Sequence, residues 1–312
     1  MKKAAKVFAL LGLGTLFIGI FICIAGFAMG GRFHSYNGFR GWLYDRYYCS
    51  DISENRALTE IAIEDSAMEY AYYYGDDYYR ELKGTFDTLD IDIGYGNCYI
   101  ISGGDQDIAA ISGMNIDESY LSANISSGGV LEISYEQPES HNRWGNNHYE
   151  APELTITIPD KQYKKLIVDM EAGEMTIERM TAEKAEIEVG AGQLYLNYLD
   201  VAESCTMKVD AGHIQVESLR AKKLEVQCEV GSIESYETDV TSGNLTCEMG
   251  SISMYMNDRE SSYNYTIKSE MGSVTVGGDS YTGLQKKRSV DNGADRNLDL
   301  NCEMGSIELY FN

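Results

Sequence analysis

The sequence predicts an all-β protein: a parallel β-solenoid, β-helix-like, of about 20-residue two-strand rungs, preceded by one transmembrane helix. Three observations predict it. Seven segments align on a glycine at near-constant spacing, apolar residues alternate on both sides of that glycine, and one uncharged apolar run lies near the N-terminus.

The apolar run comes first. From Val7 to Met29 the sequence VFALLGLGTLFIGIFICIAGFAM holds no charged residue. At helical rise it spans about 34 Å, enough to cross a hydrocarbon core of about 30 Å. Lys2, Lys3 and Lys6 precede it, which keeps the N-terminus cytoplasmic and places the C-terminal domain outside, in a single-pass cell-membrane protein. A cleaved signal peptide is the competing reading. The run is longer than the usual signal core, and only a weak small-residue site stands near Gly26 and Ala28. Residues 1–29 are therefore read as a cytoplasmic stub and transmembrane helix.

Residues 30–84 read as a Tyr-rich juxtamembrane stalk. Tyr44, Tyr47, Tyr48 and Trp42 lie close to the membrane exit, and Tyr70, Tyr72, Tyr73 and Tyr74 follow. Such rings suit a membrane interface; an aromatic contact surface is the alternative. Leu58–Met68 is expected to form a short helix.

The repeats occupy residues 85–312, with N-terminal cap strands over 85–160 and regular rungs over 161–312. VDMEAGEMTI, IEVGAGQLYL, MKVDAGHIQV, VQCEVGSIES, LTCEMGSISM, IKSEMGSVTV and LNCEMGSIEL align on Gly173, Gly192, Gly212, Gly231, Gly250, Gly272 and Gly305. IDIGYGNCYI fits the same frame at Gly96. Five, three and one residues before the glycine the positions are read as inward. The last of these columns holds Ala172, Ala191, Ala211, Val230, Met249, Met271 and Met304. After the glycine the inward positions fall two and four residues on, as in Ile252 and Met254. The buried register thus slips by one residue at each glycine. A slip implies a corner, where a residue without Cβ costs least. Each rung should run strand, glycine corner, strand, return turn, and stack in parallel on the next at about 4.8 Å.

Between Gly96 and Gly173 the pattern loosens into strands NISSGGVLEISYE and ELTITIP, separated by the polar loop HNRWGNNHYEAP. Near the far end GGDSYTGLQKKRSVDNGADRN reads as a loop extruded from one rung. The sequence stops within the second strand of its last rung, at Ile307–Asn312. That strand is expected to be an edge open to self-association or to an envelope protein, unless the 277–297 loop covers it.

Charge limits the partners. The chain carries 25 basic and 49 acidic residues, a net of −24. Such a surface repels nucleic acid and anionic polymers, and favours divalent cations or a basic protein. An acidic column two residues before the glycine includes Glu229, Glu248, Glu270 and Glu303, with Glu171 and Asp210 earlier and Gly190 as the exception. It is a weak candidate for bridging divalent cations; solvated carboxylates are the simpler reading. Cys228, Cys247 and Cys302 share one inward column, with Cys98 and Cys205 also inward. Adjacent rungs would bring Cys228 near Cys247, within reach of a disulfide in principle, but buried thiols acting as small apolar groups are the favoured reading. His141 and His148 flank Trp144 in a polar loop and read as surface residues, and no hydrolase, phosphate-loop or metalloprotease motif occurs. No catalytic residue and no cofactor is expected.

The stretch TITIPDKQYKKLIVDMEAGEMTIERMTAEKAEIEVGAGQLYL and the rungs after it resemble a bacterial putative-adhesin family, a domain of unknown function in envelope proteins. The resemblance covers about residues 85–312. It implies a β-solenoid behind a membrane anchor and an envelope-associated role, with no catalytic residues. Where that family commonly carries Gly-Ser-Gly-Asp corners, this chain carries Glu-Met-Gly-Ser or Glu-Val-Gly-Ser. The expected function is a non-catalytic adhesin-like or scaffold binding module of the cell envelope. A regulatory or sensory accessory protein of an envelope-stress response is the alternative. A polysaccharide-acting enzyme is a distant second, because such β-helix enzymes need mixed acidic and basic side chains in a groove.

Overall fold

The computed structural model describes residues 78–136, 151–282 and 286–312. The expected transmembrane helix, the Leu58–Met68 helix, most of the Tyr-rich stretch and the His141–His148 loop lie outside the described residues. What is described is all-β, one large and mostly parallel sheet with no α-helix among the described residues.

The central strands follow from the apolar alternation. They are β7 (Gln162–Val189), β8 (Gln193–Val209), β9 (His213–Cys228) and β10 (Ser232–Cys247). Each neighbouring pair runs parallel and in register, so Ile187, Met207, Val226 and Leu245 form one column and Leu194, Ile214 and Ile233 another. These columns are buried and belong to a single hydrophobic core. Each such side chain contributes about 1.5–3 kcal/mol on burial. A rung's inward face is covered only by its neighbours, so stability is shared along the stack.

The return turn is not a loop. β8, β9 and β10 each run unbroken from the second arm of one rung into the first arm of the next. The extra residue of the 20-residue repeat is absorbed there: Ala202 and Glu203 oppose a single residue, Glu183, on one side and Lys222 on the other.

The corner differs from expectation in two ways. The residue before the glycine points outward: Val230, Met249, Met271 and Met304 are 45, 47, 64 and 51 % exposed, and Ala191 and Ala211 are exposed too. Two successive outward residues make the corner, and the glycine itself takes the inward slot. The need for glycine is also different. Only Gly96 and Gly173 have left-handed φ, at 125° and 109°. At the others close approach decides. A Cβ on Gly231 would lie 2.1 Å from the Gly212 carbonyl oxygen and 2.4 Å from Val209 Cγ1. One on Gly250 would lie 2.3 Å from the Gly231 oxygen and 2.5 Å from Cys228 Sγ. The ladder continues through the corner, as Ser232 N donates to Gly212 O and Ser251 N to Gly231 O.

Stacking order departs from sequence order at both ends. β16 (Arg296–Cys302) and β17 (Ser306–Phe311) pair with β10 and with β11 (Ser251–Met256) on one side. On the other they pair with β12 (Tyr263–Ser269) and β13 (Ser273–Val276). The Gly305 rung is thus inserted between the Gly250 and Gly272 rungs. The expectation of an open edge at Ile307–Asn312 is therefore corrected: β17 has a strand on each side. The 277–297 segment instead caps the Gly272 rung, with β14 (Asp279–Thr282) antiparallel to β13 and β15 (Lys286–Val290) antiparallel to β12. Lys287 and Arg288 stand exposed on that cap strand, where charge discourages edge-to-edge pairing.

The N-terminal end mirrors this. β2 (Thr88–Ser102), the Gly96 rung, lies between β7 and a later rung made of β5 (Val130–Tyr135) and β6 (Glu153–Ile158). β4 (Leu121–Ile125) and β3 (Ile108–Met114) cover that rung antiparallel, and β1 (Tyr78–Lys83), from the stretch read as stalk, pairs with β3.

Arg296 fixes the inserted rung. Its Nη1 donates to Asp239 Oδ1 on β10 at 2.8 Å and to Tyr263 Oη on β12 at 2.9 Å, and so reaches both flanking rungs. Replacing Arg296 with alanine is expected to cost about 1.5–3 kcal/mol, the range for a hydrogen bond to a charged group, read from the denaturant midpoint. Gly231→Ala is expected to cost about 3 kcal/mol or more through the carbonyl clash. Gly103→Ala, where a Cβ meets nothing within 4 Å, should leave the midpoint within about 0.5 kcal/mol.

Candidate functional site

The corner gathers the most unusual surface. Its backbone is stitched to the neighbouring rung: Glu248 N donates to Cys228 O at 2.9 Å and Met249 N to Glu229 O at 2.7 Å. Met304 N and Met271 N make the same bond to Glu248 O and Glu303 O, each at 2.7 Å. A rigid backbone therefore holds two outward columns side by side. One runs Glu229, Glu248, Glu303, Glu270 and the other Val230, Met249, Met304, Met271, in stacking order. The inserted Gly305 rung makes both columns continuous.

The carboxylates of Glu229, Glu248 and Glu303 are exposed, and Glu270 is half-buried with Lys268 Nζ 3.4 Å away. Like charges at the rung spacing repel by about 0.9 kcal/mol per pair in water. Among the described residues no group of three or more His, Cys, Asp or Glu side chains is placed to hold a metal ion. Four neighbouring side chains of large or medium apolar type, each 45 % exposed or more, exceed the scattered apolar exposure of ordinary surfaces.

On the second arm Tyr236, Tyr255 and Tyr310 stack face to face at 5.7 and 4.6 Å. Tyr236 and Tyr310 donate to Glu234 and Glu308 on the same strands. Further back His213 Nδ1 lies 2.7 Å from Ser232 Oγ, with Tyr195 edge-on to the imidazole. Burial pulls the His213 imidazole below its ordinary pKa, against the opposing effects of the Glu234 carboxylate and a Gln215 hydrogen bond.

The inward cysteines line up as Cys228, Cys247 and Cys302, all free thiols. Sequence order would have put Ser269 beside Cys247; the insertion puts Cys302 there. Hydrogen bonding to Cys247 and then burial push the Cys228 and Cys302 thiols up. Burial alone pushes Cys98 and Cys205 up to about 12. Cys98 and Cys205 are inert packing as they stand, whereas hydrogen bonds from Cys228 and Cys302 pull the Cys247 thiol down. On the outer face of the first arms a depression of about 400 Å³ is lined by Asp169, Glu186, Glu188, Glu225 and Lys208 among others. Lys208 is 4.0 Å from Glu188. Nearer the N-terminal end Asp90 and Asp92 face Glu132 and Asp169. Burial first, then Glu132 for Asp90 and Asp169 for Asp92, raises both their pKa values.

The family model for the Toastrack domain DUF4097 matches residues 86–303. The chain belongs to the Toastrack DUF4097 family. Three solved structures are similar over most of their length. A putative cell adhesion protein from Clostridium sporogenes shares 16 % identity, over 75 % of this chain and 99 % of that one, with a TM-score of 0.33. A putative adhesin from Bacteroides fragilis shares 15 %, over 75 and 96 %, with a TM-score of 0.39. A putative lipid binding protein from Parabacteroides distasonis shares 15 %, over 76 and 97 %, with a TM-score of 0.37. No curated protein matches the chain.

Sequence reasoning located the acidic column but assigned its apolar neighbour to the core, and so missed the ridge that Toastrack corners present here. The signal was present. The inward offsets two and four residues after the glycine continue back to the glycine itself, which leaves no inward slot for the residue before it.

His213 gives a pH test. Because its folded-state pKa is lowered, the unfolded chain takes the proton more readily. Its contribution is full above the unfolded value of about 6.5 and declines as pH falls through that value towards the folded one. The raised carboxylates Asp90 and Asp92 act in the opposite sense, gaining stability on acidification. His213→Gln should therefore flatten the loss of melting temperature between pH 7.5 and 5.5; an unchanged slope would remove His213 as its source.

Proposed function

We propose that the chain is a non-catalytic, adhesin-like or scaffold binding module of the bacterial cell envelope. In this reading Val7–Met29 anchors it in the membrane as a single span, with the N-terminus cytoplasmic and the sheet outside. The sheet coils as a β-solenoid whose Glu–Met corner ridge receives a partner protein. The observation that carries the reading is the ridge: four exposed apolar side chains beside four carboxylates, on backbone hydrogen-bonded from rung to rung. A solvated corner would not need methionine. Exposing apolar surface in a row is unfavourable unless something covers it.

A further feature supports it. The net charge of −24 suits a basic protein partner and opposes nucleic acid or anionic polymer.

Site-specific photocrosslinking in cells tests this. A photoreactive residue at Met249 or at Met304 should yield the same discrete adduct with an envelope protein. The same group at the exposed Lys222, on a bend between arms, should not. Absence of a discrete adduct from both ridge positions, or an identical pattern from Lys222, would refute the ridge as the binding face.

A further inference from the structure

Resting on the reading that the ridge binds a partner, we propose that its occupant is a cationic amphipathic α-helix of a partner protein, lying along the stacking direction. Repeat, chemistry and extent of the ridge all select it.

Repeat comes first. The ridge offers one carboxylate and one apolar side chain per rung, at the parallel-strand spacing of about 4.8 Å, so four rungs span about 14 Å. An α-helix presents equivalent side chains once per turn, about 5.4 Å apart, and three turns cover about 16 Å. The mismatch of about 2 Å over the footprint is within the reach of methionine, with its three rotatable side-chain bonds. A β-strand laid the same way repeats its face every 6.6–6.8 Å, about 20 Å over the same four contacts, and falls out of step by more than one rung.

Chemistry comes second. The two columns are adjacent, so the partner must carry a basic stripe beside an apolar one. A helix with Lys or Arg at i, i+4 and i+7 beside a leucine stripe does this on one face. Small cations or a polyamine would satisfy the carboxylates and leave Val230, Met249, Met304 and Met271 in water. An anionic lipid surface would cover the apolar column and be repelled by the acidic one.

Extent comes third. Towards the N-terminal end the apolar column shrinks to Ala211 and Ala191, and Gly190 replaces the carboxylate. The footprint is therefore bounded at four rungs, matching about eleven helical residues. At the other end Lys268 already lies 3.4 Å from Glu270, so the strongest demand for cations falls on Glu229, Glu248 and Glu303.

The test uses the full chain in zwitterionic-lipid nanodiscs, with empty discs as blank. Three fluorescent 14-residue peptides serve as probes. One has adjacent lysine and leucine stripes at helical period, one has the same composition rearranged to period two, and one has its lysines replaced by glutamate. Anisotropy should show the helical-period lysine peptide binding at least tenfold more tightly than either control. Met249→Ser with Met304→Ser should weaken it at least tenfold. Glu248→Gln with Glu303→Gln should weaken it and lessen its salt dependence. All four positions are exposed, so the variants should keep the wild-type melting temperature. Equal binding of the two lysine peptides, insensitivity to the ridge substitutions, or no binding at all would overturn the helix. If Met249 and Met304 still crosslink to a common partner in cells, the ridge remains a binding face and only the helical occupant is refuted. If those crosslinks also fail, both are.

Discussion

The constraint on which the molecule depends is the contact of one glycine with the next. Along the stack, a glycine carbonyl oxygen sits where the next rung's glycine would carry Cβ, at 2.0–2.6 Å for six of the rung contacts. No side chain tolerates that approach. The contact does three things together. It lets the two arms of a rung meet at a tight corner without breaking the hydrogen-bond ladder. It leaves room for the Val209, Cys228, Cys247 and Cys302 side chains to lean over the next corner. It also forces the two preceding residues outward, which is how the Glu–Met ridge arises. Surface and core are thus consequences of one packing event repeated along the sheet.

The ends show how a parallel stack is closed. A bare terminal rung would present unpaired backbone groups and invite association. Here each end is finished by antiparallel strands: β3 and β4 at one, β14 and β15 at the other. In both places the chain passes outward, builds the terminal rung or its cover, and returns. Arg296 bridges its two flanking rungs at the point of return, and the side chain of Asn264 accepts from the backbone of Asn292 and Ala294 just before it.

Much of this was legible in the residues. Period-two columns such as Ile187, Met207, Val226 and Leu245 specify strand, face and register together, because a one-residue slip would expose the whole set. The acidic column was equally readable, since its place depends only on distance from the glycine. Two things were not. Met249, Met271 and Met304 are apolar, and hydrophobicity alone cannot separate an exposed ridge from a core; only the corner geometry does. Nor could the stacking order be read. CEMGSI at 247–252 recurs at 302–307, and the SEMGSV rung offers nearly the same columns, so local complementarity accepts either neighbour on Gly250. What selects the order lies elsewhere, in the length of the 277–295 connection and in single polar contacts such as that of Arg296.

The inserted rung has a consequence for how the polypeptide reaches its final state. Rungs from β7 to β11 can add one after another as the chain is synthesised, each finding its template already in place. The Gly272 rung cannot settle there in its final position, because its proper neighbour has not yet been made. Assembly must hold that position open, or vacate it, until residues 296–311 arrive, and contacts between positions as distant as Leu245 and Leu300 can close only then. Completion therefore waits on the least local pairing in the C-terminal half, the kind that slows folding and lengthens exposure to misassembly. For a sheet built of near-identical units, fidelity rests less on making each unit than on making the last one enter in the right place.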